Sequence, residues 1–210
     1  NGEITPDDGE ITRSKGCTIG YLDQDMLSFD SDSSILSIAM QAFTEAMEME
    51  QAIDKLIERI GRQYSEKEAL RLTSLQEKYE AMGGYTLQSR AEEILEGIGF
   101  KTDELHRPLN AFSGGWRMRA VLARLLLSQP ALLMLDEPTN HLDLPSILWL
   151  EQYLGNYPGA VIVVSHDQRF LDNIATSIVE VRGQDLITYS GNYSFYLEEK
   201  EQRMEVLKNA

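Results

Sequence analysis

No stretch of this 210-residue chain approaches the uninterrupted apolar length of a membrane-spanning helix, although hydrophobic residues make up 42% of it. Membrane insertion is therefore not expected. Cysteine is nearly absent: Cys17 stands alone, with no disulfide partner and no neighbouring histidine for a metal site. A small packed side chain in a reducing compartment is the reading for it. Basic residues are scarce, 19 Lys and Arg against 34 Asp and Glu, a net charge of -15. Such a surface repels a phosphate backbone over most of its area, which disfavours general coating of nucleic acid. It leaves open a partner with its own charge pattern, because local patches decide docking. No internal repeat and no low-complexity tract is present, and the segment behind Asn1 is neither basic nor apolar enough for a signal peptide. The chain is expected to be an excised piece of something longer.

What is present is an ordinary globular composition, long enough for one substantial core or a core plus a smaller lobe. The first stretch, Asn1 to Asp25, reads as a turn at Pro6-Asp7-Asp8-Gly9 followed by strand pieces at Ile11 and at Cys17 to Leu22. From Ser34 the pattern turns helical. Apolar residues at Ala39, Phe43, Ala46, Ile53, Ile57 and Ile60 make a heptad-like seam. The seam breaks at Gly61 to Tyr64, where Ser65 and Glu68 have capping-box spacing, and resumes at Leu72, Leu75, Tyr79 and Met82 before Gly83-Gly84. Two antiparallel helices in a protruding hairpin fit this pattern, as do two amphipathic helices laid flat on a core. Met47, Met49, Ile53 and Ile57 are seam residues or contact residues, with the seam favoured. A third helix from about Leu87 to Glu96 and a fourth from Ser113-Gly114-Gly115 to about Ser128 follow.

The run Ala131 to Leu135, between Pro130 and Pro138, is apolar on both alternating faces and reads as a central parallel strand. A helix near Ser146 to Leu154 leads to a second apolar run, Val161 to Val164, so that strand, helix and strand form a βαβ unit. A helix at Gln168 to Ile174, two short strands at Ile178 to Val181 and Leu186 to Tyr189, and a charged helix from Ser194 complete the chain. Chemistry belongs at the carboxyl ends of the parallel strands. There Asp136 would hold Mg²⁺ directly or through water, and Glu137 would polarise an attacking water. Ser165-His166-Asp167 follows the second strand and brings His166 to the same edge. Ser113-Gly114-Gly115 offers a hydroxyl and unhindered amides at a helix N-terminus, a ready anion site. Gln24, just past the first strand, could reach a metal-bound water. Alone, each of these signals is weak.

In this order the pieces resemble the nucleotide-binding domain of the ATP-binding cassette superfamily. Gln24 matches the Q-loop, Phe112-Ser113-Gly114-Gly115-Trp116 the signature motif, Leu132 to Glu137 the Walker B strand, Asn140-His141-Leu142-Asp143 the D-loop, and His166 the switch histidine. The runs Asp136 to Asp143, Ser113 to Arg119 and Ser165 to Phe170 look like the ABC-F branch. The resemblance implies an α/β fold of the P-loop NTPase type, its parallel core sheet incomplete, with a helical subdomain carrying a helical-hairpin arm. It divides the chain into a core remnant through the Q-loop at 1–26, a helical subdomain at 27–128 with the arm at about 41–82, the core again at 129–193, and the start of an interdomain linker helix at 194–210. It implies a cytoplasmic ATPase in which Glu137 and His166 are catalytic. Gln24, Ser113, Gly114, Gly115 and Asp143 would contact nucleotide, and Asp136 with Gln24 would bind the Mg²⁺ that accompanies ATP. The implied partners are ATP, a second nucleotide-binding domain of the same parent chain, and the ribosome, with a role in translation. The alternative is the ATP-binding subunit of an ABC membrane transporter, which should lack a heptad hairpin before the signature.

One departure stands out. The phosphate-binding pattern G-x-x-x-x-G-K-[ST] is absent, and its nearest imitation, Gly97-Ile98-Gly99-Phe100-Lys101-Thr102, follows a helix and carries Phe100 where a glycine is needed. The isolated chain is therefore expected to be inactive, its Asp136-Glu137 pair being the hydrolytic half of a site whose nucleotide-holding half lies upstream.

Overall fold

The computed structural model describes residues 9–10, 12–22, 31–183 and 185–208. Ile11 and Gln24, named above, lie outside the described residues. Three parallel strands, β1 (Ile19–Leu22), β2 (Leu132–Asp136) and β3 (Ala160–Val164), form a sheet in the order β1-β2-β3. The acidic strand is thus the central one, as its two apolar faces predict. In register, Leu133 lies between Gly20 and Val161, and Leu135 between Leu22 and Val163. This face is sealed: Leu22, Leu133 and Leu135 are buried. Gly20 lets the strand approach closely, since a Cβ there would come within 2.5 Å of Leu125 and 2.6 Å of Pro130. The opposite face is bare, with Ile19, Ile162 and Val164 at 40%, 51% and 56% exposure.

The covering helix is α5 (Gly114–Ser128), and α1 (Ile35–Met40) and α4 (Leu87–Gly97) pack on it. One hydrophobic cluster runs from Leu133 and Leu135 through Leu122 and Leu126 to Ile38, Ala91 and Leu95. Helix α6 (Leu144–Gly155) joins β2 to β3, and α7 (Gln168–Ile174) follows β3. Gly97 ends α4 and Gly99 takes a φ of +106°, so the imitation phosphate loop is a helix-terminating turn. Past α7, β4 (Ser177–Arg182) and β5 (Asp185–Ser190) form an antiparallel pair with α8 (Tyr193–Lys208) against it. Glu180 accepts from both Lys200 and Tyr189, and Asp172 on α7 accepts from the Ser194 amide near the start of α8. Among the described residues no helix is long and apolar enough to cross a membrane.

Helices α2 (Thr44–Arg62) and α3 (Glu66–Ala81) pair with each other as a hairpin. Their residues Ala46, Ile53 and Tyr79 make a separate small cluster with Leu87 of α4, and Met49, Leu72 and Leu75 pack against it. Met40 and Phe43 touch both this cluster and the main core, so the hairpin is rooted there and not laid flat. The seam differs from the expected one in two places. Leu56 is buried at 5% while Ile57 is 49% exposed, and Met82 is 39% exposed. The reason is helical phase: 46, 49, 53, 56 and 60 alternate steps of three and four, whereas 57 lies about 100° round the helix from 56. The capping box at Ser65 and Glu68 is also not formed, because the Ser65 side chain makes no cap bond. Glu66 and Glu68 in the first turn favour the helix electrostatically instead.

This phase yields an expected contrast. Leu56→Ala should weaken amide protection in α2 by about 2–3 kcal/mol and Ile57→Ala by under about 1 kcal/mol, because only the first empties a packed site. Hydrogen exchange across residues 50–60 measures it, and equal effects would contradict the seam.

Candidate active site

At the carboxyl end of β2 the chain leaves extended geometry abruptly. Glu137 takes a φ of +48°, a left-handed conformation that costs a non-glycine residue about 1–3 kcal/mol. Its amide donates to the Val164 carbonyl at 2.8 Å, continuing the β2–β3 pairing past the last strand residue. The Glu137 side chain is 8% exposed. The His166 backbone amide donates to its Oε2 at 3.3 Å, and His166 Nε2 stands 3.5 Å from its Oε1. The register that pairs Asp136 with Val164 thus brings two groups 29 residues apart in sequence into one site. Oε1 of Glu137 is buried without a hydrogen-bond partner among the described residues. Buried carboxylate oxygens are satisfied as a rule, so an orphan here marks where a water or ligand group belongs. A cavity of about 20 Å³, room for a single water, is lined by Asp136, Glu137 and residues of α5. His166 has its side chain almost wholly in solvent, free to donate outward.

Asp136 is half-buried beside Glu137. Among the described residues no group of three or more His, Cys, Asp or Glu could cage a metal. One carboxylate at a strand end suits magnesium, which keeps several waters and takes its other ligands from substrate phosphates. It does not suit a transition metal held by protein alone.

Ser113 precedes α5 in extended geometry, and its hydroxyl makes no cap bond. The exposed hydroxyl and the first-turn amides therefore remain available to an anion, where the helix dipole favours one. Ser113 and Gly114 share no hydrogen bond with Asp136, Glu137 or His166 among the described residues. Gly115, in contrast, lies against His141: a Cβ there would sit 3.6 Å from the imidazole. Asp143 caps α6, its Oδ1 accepting from the Ser146 amide at 3.1 Å. Those Ser146 hydrogen bonds, with Arg119 nearby, hold its carboxyl below the usual range. The residue that sequence reasoning passed over is Arg119. A partial signal was present: two cations, Arg119 and Arg124, interrupt the apolar run Met118 to Leu127 and must find partners where the helix is buried, and the fold buries Arg119.

Comparison with known proteins gives a consistent result. A family model described as ABC transporter matches residues 1–140. The chain is 46% identical over 134 residues to ABC transporter F family member 3 of Arabidopsis thaliana, covering 64% of this chain and 19% of that protein. It is 36% identical over 213 residues to the energy-dependent translational throttle protein EttA of Mycobacterium tuberculosis, covering 96% of this chain and 36% of that one. It therefore spans only about a fifth to a third of the length of these curated relatives. Among solved structures, an ATP-binding subunit of an ABC transporter superposes with a TM-score of 0.54 at 15% identity, over 86% of this chain and 68% of that one. At that identity the likeness concerns the fold alone.

The cap at Asp143 carries a pH signature. Because its folded pKa is lowered, its contribution is complete above the unfolded value near pH 4 and is lost as pH falls through the folded one. Asp143→Ala should cost about 0.5–2 kcal/mol at neutral pH, mostly as a lost cap since the carboxylate is 57% exposed. Denaturant titration should show the gap from wild type closing below about pH 4, and a gap constant with pH would contradict the assignment.

Proposed function

From the premise that the chain belongs to the ATP-binding cassette superfamily, in its ABC-F branch, we propose that it carries the hydrolytic half of an ATPase site. The observation that supports this most is the buried Glu137 carboxylate, with one oxygen orphaned and His166 3.5 Å away. On this reading Glu137 orients a water and takes its proton, and His166 donates a hydrogen bond to the γ-phosphate. Asp136, with Gln24, would hold Mg²⁺, which would supply charge neutralisation to the nucleotide's phosphates. Ser113, Gly114 and Gly115 would meet nucleotide held by a second cassette of the same protein, their open amides aimed at its phosphates. Asp143 would lie at the same junction.

The 210 residues contain no G-x-x-x-x-G-K-[ST] run, so the β- and γ-phosphates would be cradled by residues not among them. The bare apolar face of the sheet is what a further strand and helix would cover. The output would be translation on the ribosome, in the cytoplasm. That reading is supported by the name of the translational throttle relative and by the α2–α3 hairpin inserted before the signature. The hairpin counts against the alternative of a membrane transporter's ATP-binding subunit.

In the complete protein, Glu137→Gln should slow hydrolysis by about 10² to 10⁴ and leave ATP binding intact. Single-turnover rates at the wild-type level would sink the proposal. Calorimetry on the 210-residue chain should detect no Mg-ATP binding, and tight binding would show that the phosphate cradle lies within it.

A further inference from the structure

We infer that Arg119 is a positioning residue that locks the signature turn to the hydrolytic turn, so that Ser113–Trp116 and Glu137–Asp143 move as one body. The inference rests on the hydrolytic reading of Glu137 given above. Arg119 lies one turn into α5, its side chain only 9% exposed. Its Nε donates to the His141 carbonyl at 2.8 Å, and its Nη1 to the Ile98 carbonyl at 2.9 Å and the Ser146 hydroxyl at 3.4 Å. Nη1 also stands 3.6 Å from Asp143 Oδ2, and the guanidinium lies 4.3 Å over the Trp116 ring. A Cβ at Gly99 would come within 2.5 Å of Nη1, so glycine makes the room this side chain fills.

These contacts join α5 to two other pieces of chain, the turn at Ile98 and the continuous stretch from His141 to Ser146. Trp116 belongs to the signature, Ile98 to the turn that ends α4, His141 and Asp143 to the turn after β2, and Ser146 to α6. The distances along the route are short. Asn140 donates to the Glu137 carbonyl at 3.3 Å and Leu142 to the Thr139 carbonyl at 3.1 Å, so 137–142 is one tight turn. Arg119 grips that turn at His141, whose ring lies against Gly115. It also lines the 20 Å³ cavity beside Asp136 and Glu137. A buried charge is tolerated only when paired and hydrogen-bonded, and the planar fork of arginine meets several acceptors in fixed directions at once. Lysine is a point charge with no planar fork, and leaves buried carbonyls unpaired. Among the described residues Arg119 makes no hydrogen bond to Ser113, Asp136, Glu137 or His166, so its influence on hydrolysis would act through the turns it joins and be read in turnover before affinity.

Arg119→Lys in the complete protein tests this. The folded variant should show kcat reduced about ten- to hundredfold, the effect of a small misplacement of reacting groups, with KM for Mg-ATP within about twofold. Deuterium uptake should rise together across 113–118 and 138–146. A kcat within about twofold of wild type, or uptake rising in one segment only, would overturn the inference. Ser146→Ala removes one acceptor while leaving Arg119 in place, and carries the same exchange comparison if the lysine variant does not fold. Unchanged uptake in that variant would then count against it. Glu137→Gln run in parallel keeps the two questions apart: normal turnover there removes the hydrolytic reading, while paired or unpaired exchange still decides whether Arg119 joins the turns.

Discussion

The hydrogen bond from the Glu137 amide to the Val164 carbonyl is the constraint on which the candidate site depends. A parallel ladder would ordinarily end with Asp136. Extending it by one residue forces Glu137 out of the strand and into the left-handed region, since the chain must turn back over the sheet. The same bond fixes where β3 ends relative to β2, so that Ser165 and His166 emerge beside the turn. Carboxylate and imidazole meet because two strands are in register, and no long loop has to be ordered to bring them together. Placing them on rigid elements limits the entropy lost in assembling the site.

That register is in turn held by burial on one side. Leu133 and Leu135 point into the cluster shared with α5, and a shift of one residue would turn β2 over, burying Asp136 and exposing both leucines. Helix α5 therefore has two duties. Its apolar side sets the strand register, and its N-terminus presents Ser113 and Gly115 at the surface. The small hairpin cluster takes no part in this, which is why an error of one residue in its seam leaves the site untouched.

Elements with strong punctuation were legible in the sequence. The central strand is bracketed by Pro130 and Pro138, and α5 is announced by Ser-Gly-Gly; both occur within a residue of expectation. The β2–α6–β3 unit was readable from two apolar runs with a helix between them. The phase of α2 was not, because Leu56 and Ile57 are neighbours of similar hydrophobicity and only the partner helix selects between them. The Ser65 box was a spacing without a bond, since a hydroxyl three residues before a glutamate permits a cap but does not compel one. At the site, motif residues could be named, yet their pairing depended on strand register, and the contacts of Arg119 join segments up to 27 residues apart. No local pattern encodes them.

Charge bears on how such a site can hold a polyphosphate. With a net charge of -15, the field over most of the surface opposes a nucleotide. Among the described residues, the local donors that would counter it on the proposed reading include the first-turn amides of α5, the Ser113 hydroxyl and the outward imidazole of His166. Arg119, the cation nearest the hydrolytic turn in the described contacts, is already committed to carbonyls, Asp143 and Trp116. On the proposed reading, Asp136 and Glu137 add two carboxylates where the γ-phosphate would sit. Such a cluster is tolerable only when a divalent cation and donors from elsewhere share the site. The electrostatics of the described residues thus fit the proposed reading, in which other residues grip the phosphates.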